Sequence, residues 1–482
     1  MRAERGAKSG CAPVCGGDTV GKALQVPRRR YVRVFASDLS GGMDSFTDSR
    51  VLPFSRGEVA YNVCVDSGAL QNGYGAQATD VPARYHKVFC YKAYDEENAC
   101  TRHILLAHDR ESGKLYGGEG APDSWREITG VTFADTPMGT NYRLYGEDVF
   151  LLCGQEGMAV VYADLRAVTV ASAPDITGIA MHNERMFATI GGRRNAVWFS
   201  DDLDPTNWNP ELDEGGFIEL EGDRGRCNRV AAFGGYVYIF RDYGITRLTA
   251  FGNQSEFSVT NLFVSSGRIY ADTVAVCGDR ILFCADDGLY AFDGLSATRI
   301  ARALDGILQG DGESRACYCN GKYWLATRQT EADAKYNDLL TVLDPRTGKF
   351  SVHKGVCVRT FSPLVRESGE TLWICSPAQS VLGEVRRGAD YYGTPLVKQW
   401  RTGLGDLGAP ERRKLIADVY IDTAYDCTLT VRTERGEKTF ALRGKAEVQR
   451  KRVNLIGYKA QLEITAQGDI SAARPSLRYA SL

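Results

Sequence analysis

Between His103 and Gly388 the chain repeats one phrase: an apolar run, a polar turn, then a second run carrying an aromatic residue and a glycine. It begins with HILLAHDRESGKLYGG at His103 and EDVFLLCGQEGMAVVYAD at Glu147. Further copies start at Glu184, Gly235, Asp279, Lys322 and Glu370, so successive starts lie 37 to 51 residues apart, with a mean of about 44. A period of roughly 40–50 residues is what four strands per blade of a β-propeller require. A lone four-stranded blade cannot cover both of its faces, whereas blades stacked round an axis cover each other and leave only short edges. The first run of each phrase is the more apolar of the two, as in Val149-Phe150-Leu151 and Ile281-Leu282-Phe283, which suits a strand buried on both sides. The repeat therefore predicts an all-β fold, a β-propeller of about seven blades, with six to eight compatible with the spacing; the competing reading is a set of unrelated hairpins in a sandwich.

Composition agrees with a turn-rich folded chain. There are 52 glycines in 482 residues, about 11% against an average near 7%, while proline stays at 15. Hydrophobic residues make up 44% and charged residues 24%, ordinary for a folded protein. No apolar run approaches the roughly 18 residues of a membrane helix, and the first residues lack the apolar core of a signal peptide. The net charge of −2 leaves no overall basic field for gripping phosphates.

The repeat stops near residue 390. In 391–482, stretches at 414–422, 427–431, 438–442 and 460–465 alternate at strand period between glycine-containing polar turns, which predicts a C-terminal β-sandwich domain. Residues 31–390 are assigned to the propeller, with one strand-like stretch near Val59 to Val65, and residues 1–30 to a flexible, mildly basic N-terminal arm. That arm holds GGDTVGK (16–22), which matches the spacing of a phosphate loop. Ala23 stands where serine or threonine would bind magnesium, and neither a buried strand nor a helix flanks it, so no nucleotide site is expected.

Fourteen cysteines are present, and Cys64, Cys153, Cys284 and Cys375 fall inside strand-like runs, where a thiol behaves as a small buried hydrophobe. Free thiols in a reducing compartment are expected. Neither Cys11-x3-Cys15 nor Cys317-x-Cys319 has zinc-site spacing. The five histidines (His86, His103, His108, His182, His353) form no HxH or HExxH pattern, and no G-x-S-x-G elbow occurs. Asp201, Asp202, Asp204, Asp286 and Asp287 sit between strands and are expected to cap their own turns. No catalytic residue, metal or cofactor is predicted, and the chain is expected not to be an enzyme. A hydrolase that uses acidic residues on the propeller axis is the minority reading.

Two segments carry a resemblance. Residues 39–75 contain Gly41-Gly42, Asn62 in a short strand, and Gly68, Leu70, Gly73 and Gly75 round a turn. This is similar to the N-terminal signature of phage tail nozzle, or packaged-DNA stabilisation, proteins. Residues 195–208 hold Trp198, Ser200, Asp204, Pro205 and Trp208, and resemble an R-V-x-F-S-x-x-x-D-P-x-x-W segment of the same family, with Asn195 in place of the arginine. Asp293-Gly294 ends a strand phrase common to many propellers. Lys414 to Ile421, followed by Arg450-Lys451-Arg452, resembles the family's end domain. The resemblance implies a virion structural protein: a homo-oligomeric ring, hexameric by preference, below a portal and adaptor and beside other tail proteins. Such a ring encloses the channel through which double-stranded DNA passes without sequence-specific contact, and helps retain packaged DNA. It would be assembled in the bacterial cytoplasm and reside in the neck or tail. Arg193, Arg194, Arg224 and Arg226 are then candidate subunit contacts, with solvated turns as the plainer alternative. The alternative function, motivated by 24 Tyr, 19 Phe and 6 Trp, is a carbohydrate- or receptor-binding propeller at a tail tip.

Overall fold

The computed structural model describes residues 31–482 apart from 36–38, 40, 66, 212–214, 330–334 and 379–380. The arm at 1–30, with Cys11, Cys15 and the GGDTVGK segment, lies outside the described residues. Among those described, the only helical elements are four three-residue 3-10 turns, such as Ala271–Thr273.

Seven blades follow in chain order, each an antiparallel sheet. Blade 1 is Tyr85–Asp95, Cys100–Asp109, Lys114–Gly118 and Arg126–Thr132; blade 2 is Met138–Leu144, Glu147–Gly154, Gly157–Val161 and Ala167–Val170. Blade 3 spans Ile176–His182 to Gly216–Glu219, blade 4 Cys227–Phe233 to Ser258–Val264, and blade 5 Ala275–Val276 to Ala297–Ile300. Blade 6 is Arg315–Cys319, Lys322–Gln329, Leu339–Leu343 and Phe350–Lys354. Blade 7 takes three strands from Thr360–Arg366, Gly369–Cys375 and Leu382–Arg387, and its fourth from the other end of the chain: Tyr74–Ala78 pairs antiparallel with Leu382–Arg387, Gly383 opposite Ala78 and Arg387 opposite Tyr74.

The ring closes through its apolar contacts. In blade 2, Phe150 and Leu152 pack with Tyr91 and Leu106 of blade 1. Their neighbours Val149, Leu151 and Cys153 point the other way, onto Met186 and Ala188 of blade 3. Alternate side chains of one strand thus enter two different cores, which is why the strand reads as apolar throughout. The same sharing continues through blades 3/4, 4/5, 5/6 and 6/7. It returns to the start where Trp373 and Leu364 of blade 7 meet Tyr85 and Leu105 of blade 1. Seven blades and seven interfaces make a closed propeller, as the repeat predicts.

The chain after blade 7 builds two further sheets, and residues 31–72 join them instead of the propeller, so the 31–390 assignment runs through a shared element. Tyr31–Phe35, Val63–Cys64 and Leu70–Asn72 lie in a sheet with Ser471–Ser481, Lys414–Thr423 and Lys445–Gly457. Gly57–Tyr61 pairs with Lys398–Thr402, which leads on to Gln461–Ala466, Cys427–Thr433 and Gly436–Leu442. On its other edge Gly57–Tyr61 meets blade 6, with Tyr61 opposite Val352 in parallel. Both sheets contribute to one apolar cluster, including Val63, Leu70, Trp400, Ile416, Val419, Leu429, Ile464 and Leu477. Lys414 is fully buried at its rim, where its Nζ donates to the carbonyls of Ala409 (2.6 Å), Tyr458 (2.8 Å) and Arg412 (3.0 Å).

Candidate functional site

The residues of the first resemblance sit where the propeller, the closing strand and the C-terminal sheets meet. Asn62 has φ +59°, and its Nδ2 donates to the carbonyl of Val397 at 2.8 Å. A Cβ on Gly73 would stand 2.6 Å from the His353 ring, and one on Gly75 would stand 1.9 Å from the carbonyl oxygen of Asp390. Backbone passes too closely there for any side chain. His353 is fully buried; its Nδ1 accepts the Tyr74 N–H at 3.3 Å, leaving Nε2 to donate to Ser351 Oγ at 2.9 Å. Burial drives its pKa down to about 3, so the ring is neutral. Gly42 and Gly68 have φ of +68° and +79°, and Gly41 packs against the Arg56 stem.

The second segment staples blade 2 to blade 3. Trp208 is fully buried in the core between these blades, and its backbone N–H donates to Ser172 Oγ at 3.3 Å. Ser200 Oγ accepts the Met186 N–H at 3.0 Å; Asp204 caps Thr206 at 2.9 Å and accepts the Tyr145 hydroxyl at 2.6 Å. Pro205 is buried beside them, and Trp198 stacks on Phe217, ring centres 5.3 Å apart. Further along, Asp293 caps Leu295 and Ser296, and the Gly294 carbonyl accepts the Tyr238 hydroxyl at 3.1 Å.

The four arginines divide. Arg226 is bound internally, its Nε 3.2 Å from buried Asp242, and Arg224, on the same 3/4 linker, is largely covered, its stem against Gly244. Arg193 is exposed, stacked over Phe217 and 3.9 Å from Glu219, while Arg194 donates to the Gly191 carbonyl at 3.2 Å. In the basic stretch, Arg450 is tied to Asp418, which also accepts from Arg478.

The turn aspartates are structural caps, though not all of them cap their own turn. Asp201 and Asp204 do, but Asp286 accepts the Arg268 N–H at 2.7 Å from 18 residues away, and Asp287 accepts the Tyr290 hydroxyl at 2.6 Å. None of them lines the axis. Among the described residues, no group of three His, Cys, Asp or Glu side chains could hold a metal ion.

What sequence reasoning missed is the axial cavity, of about 1150 Å³, to which the innermost strand of every blade contributes. Charged groups gather where those strands begin: Arg110, Asp135, Asp272, Glu313, Arg315, Arg328 and Arg359. Ile179, Ala180, Ala232 and Val276 line the far end. Arg229 and Arg315 share Asp272 at 3.9 and 3.2 Å, and Arg328 reaches Asp311 at 3.0 Å. Lys87 lies in the neck and donates to the Phe361 carbonyl; burial lowers its pKa to about 8. Asp272 and Glu313 are matched by arginines, Asp135 has none within ion-pair distance among the described residues, and no pair of carboxylates stands free for glycosidase-type work. The signal was absent from the sequence because innermost strands face a cavity on one side and so carry mixed patterns, and one of them, Ala275–Val276, is only two residues long.

No family model matches this chain, and no curated protein matches it. Among solved structures, selenomethionine-substituted virginiamycin B lyase from Staphylococcus aureus aligns with 9% identity and a TM-score of 0.41, covering 65% of this chain and 98% of that one. BBS1N in complex with ARL6DN, soaked with lead, aligns with 11% identity and a TM-score of 0.44 over 66% and 97%. YCF48 from Cyanidioschyzon merolae aligns with 10% identity and a TM-score of 0.34 over 46% and 76%. The propeller assignment rests on the seven closed interfaces.

Proposed function

We propose that this protein is a non-catalytic structural subunit of a phage neck or tail: a nozzle-like ring component, hexameric by preference, that encloses the DNA channel and helps retain packaged DNA. The observation that supports this reading is what the resemblance-bearing residues do. Gly73 and Gly75 let the propeller's closing strand pass close to His353 and Asp390, Asn62 bonds to the carbonyl of Val397, Asp204 and Trp208 fasten blade 3 to blade 2, and Ser200 ties two strands within blade 3. Residues used for joining parts of a molecule, with no reactive group among them, fit a load-transmitting role better than a chemical one. Exposed Arg193 and Arg194 are the candidate subunit contacts, with a portal, an adaptor and other tail proteins as neighbours. Light scattering of the full chain, alone and mixed with its neck proteins, tests the reading. Assembly to several hundred kilodaltons in either sample supports it, and a monomer in both overturns it.

A second reading, a ligand-binding propeller at a tail tip, is favoured by the half-open axial cavity with its charged mouth. Saturable binding of a glycan by the isolated chain, without assembly, would replace the first reading with this one.

A further inference from the structure

The cavity mouth between blades 1 and 7 carries two arginines, Arg110 and Arg359, against one lining carboxylate, Asp135, and none of the three is in an ion pair among the described residues. Arg110 follows Asp109, which pairs with Tyr85, so it stands beside the start of blade 1's innermost strand. Arg359 directly precedes blade 7's innermost strand, whose Thr360 hydroxyl donates to the His86 carbonyl and whose Ser362 Oγ accepts the Val88 N–H at 3.0 Å. These bonds hold the two innermost strands side by side and bring both residues to the same end of the cavity. Both act on the same buried neighbours, His86 and Cys375. Both line the cavity, and among the described residues neither has a carboxylate within ion-pair distance, unlike Arg229, Arg315 and Arg328 further round the wall. Thr136, on the linker to blade 2, adds a cavity-lining hydroxyl, bonded to His86 Nε2 at 2.8 Å. Lys87 stands deeper in the same cavity.

Two arginine forks from different blades, without an ion-pair partner among the described residues on a half-enclosed wall, form a receptor for a tetrahedral dianion, because guanidinium pairs with phosphate oxygens through two parallel hydrogen bonds. We propose that this mouth binds a phosphate group, held between Arg110 and Arg359, on a molecule small enough to enter the axial cavity. The volume, about 1150 Å³, lies just above the roughly 300–1,000 Å³ range of small-ligand sites, so the occupant is free phosphate or a nucleotide-sized phosphate ester, not a duplex. This site does not depend on ring assembly.

Calorimetry on the full chain at fixed ionic strength, with inorganic phosphate and with adenosine monophosphate as probes and chloride as the reference, tests the inference. Saturable binding near one per chain is expected. Arg110→Gln and Arg359→Gln together should weaken it by at least about tenfold, while Arg193→Gln on the outer surface leaves it unchanged. Melting in the absence of phosphate shows whether the double variant is folded; if it is not, each single variant is measured instead, with a loss of about threefold or more expected. Tighter binding of the nucleotide marks an ester as the occupant, and equal binding marks free phosphate. Failure of both probes to bind saturably, or binding kept within about twofold by folded variants, overturns the proposal.

Discussion

At the scale of single residues, the junction is set by groups that tolerate no substitute. Asn62 combines a left-handed backbone with a side-chain bond to the Val397 carbonyl. Asn62→Gly keeps the backbone freedom and loses the bond, so a cost of about 1 kcal/mol is expected; Asn62→Val, which also strains the backbone, should cost more in denaturant titration. Trp208 gives a second test, because it is fully buried and its Nε1 has no partner among the described residues. Trp208→Ala should cost about 3–5 kcal/mol, and Trp208→Phe clearly less, since no hydrogen bond of the ring is lost. His353 makes the junction sensitive to acid. Its folded pKa near 3 lies below the ordinary value of 6.5, so as pH falls below about 6.5 the unfolded chain takes up a proton that the folded chain refuses. Stability contributed by this neutral ring is therefore complete above pH 7 and declines by about 2 kcal/mol by pH 5. His86, also held near 3, adds a similar slope. His353→Asn should remove about half of the combined decline between pH 7 and pH 5; an unchanged slope would contradict the assignment.

At the scale of elements, the sequence showed some strands of each blade and hid others for one reason. The seven phrases coincide with the second and third strands, such as Glu147–Gly154 and Gly157–Val161, which are covered on both faces and so are uniformly apolar. Innermost strands line a cavity and outermost strands meet solvent, so Met138–Leu144 and Ala167–Val170 carry mixed patterns that no period distinguishes. The closing strand Tyr74–Ala78 reads YGAQA and becomes a blade strand only because Leu382–Arg387 lies beside it. Only long-range pairing defines it. Its importance can be measured. Gly75→Ala would force a Cβ against the Asp390 backbone and should lower stability by at least about 1–3 kcal/mol. Gly388→Ala, with open space around it, should stay within about 0.5 kcal/mol. Equal effects would show that the closing strand carries no weight.

At the scale of the whole molecule, segments that are remote in sequence are bonded together at several places, Tyr31–Phe35 and Leu70–Asn72 to Ser471–Ser481 among them. Tyr74–Ala78 seals the propeller, and Gly57–Tyr61 joins blade 6 to the C-terminal sheets. A body tied in this way has its propeller and C-terminal sheets joined by strand pairing. The repeat announced the propeller and its blade number; the shared use of residues 31–78 was invisible, because their polar, glycine-rich composition reads as loop until partners from residues 350–481 are in place. Averaged electron micrographs of the purified full chain, or of the particle that contains it, address the central claim directly. Closed rings of about six copies round an open channel are the predicted result; fields of single propellers, with no ring in the sample or the particle, would contradict it.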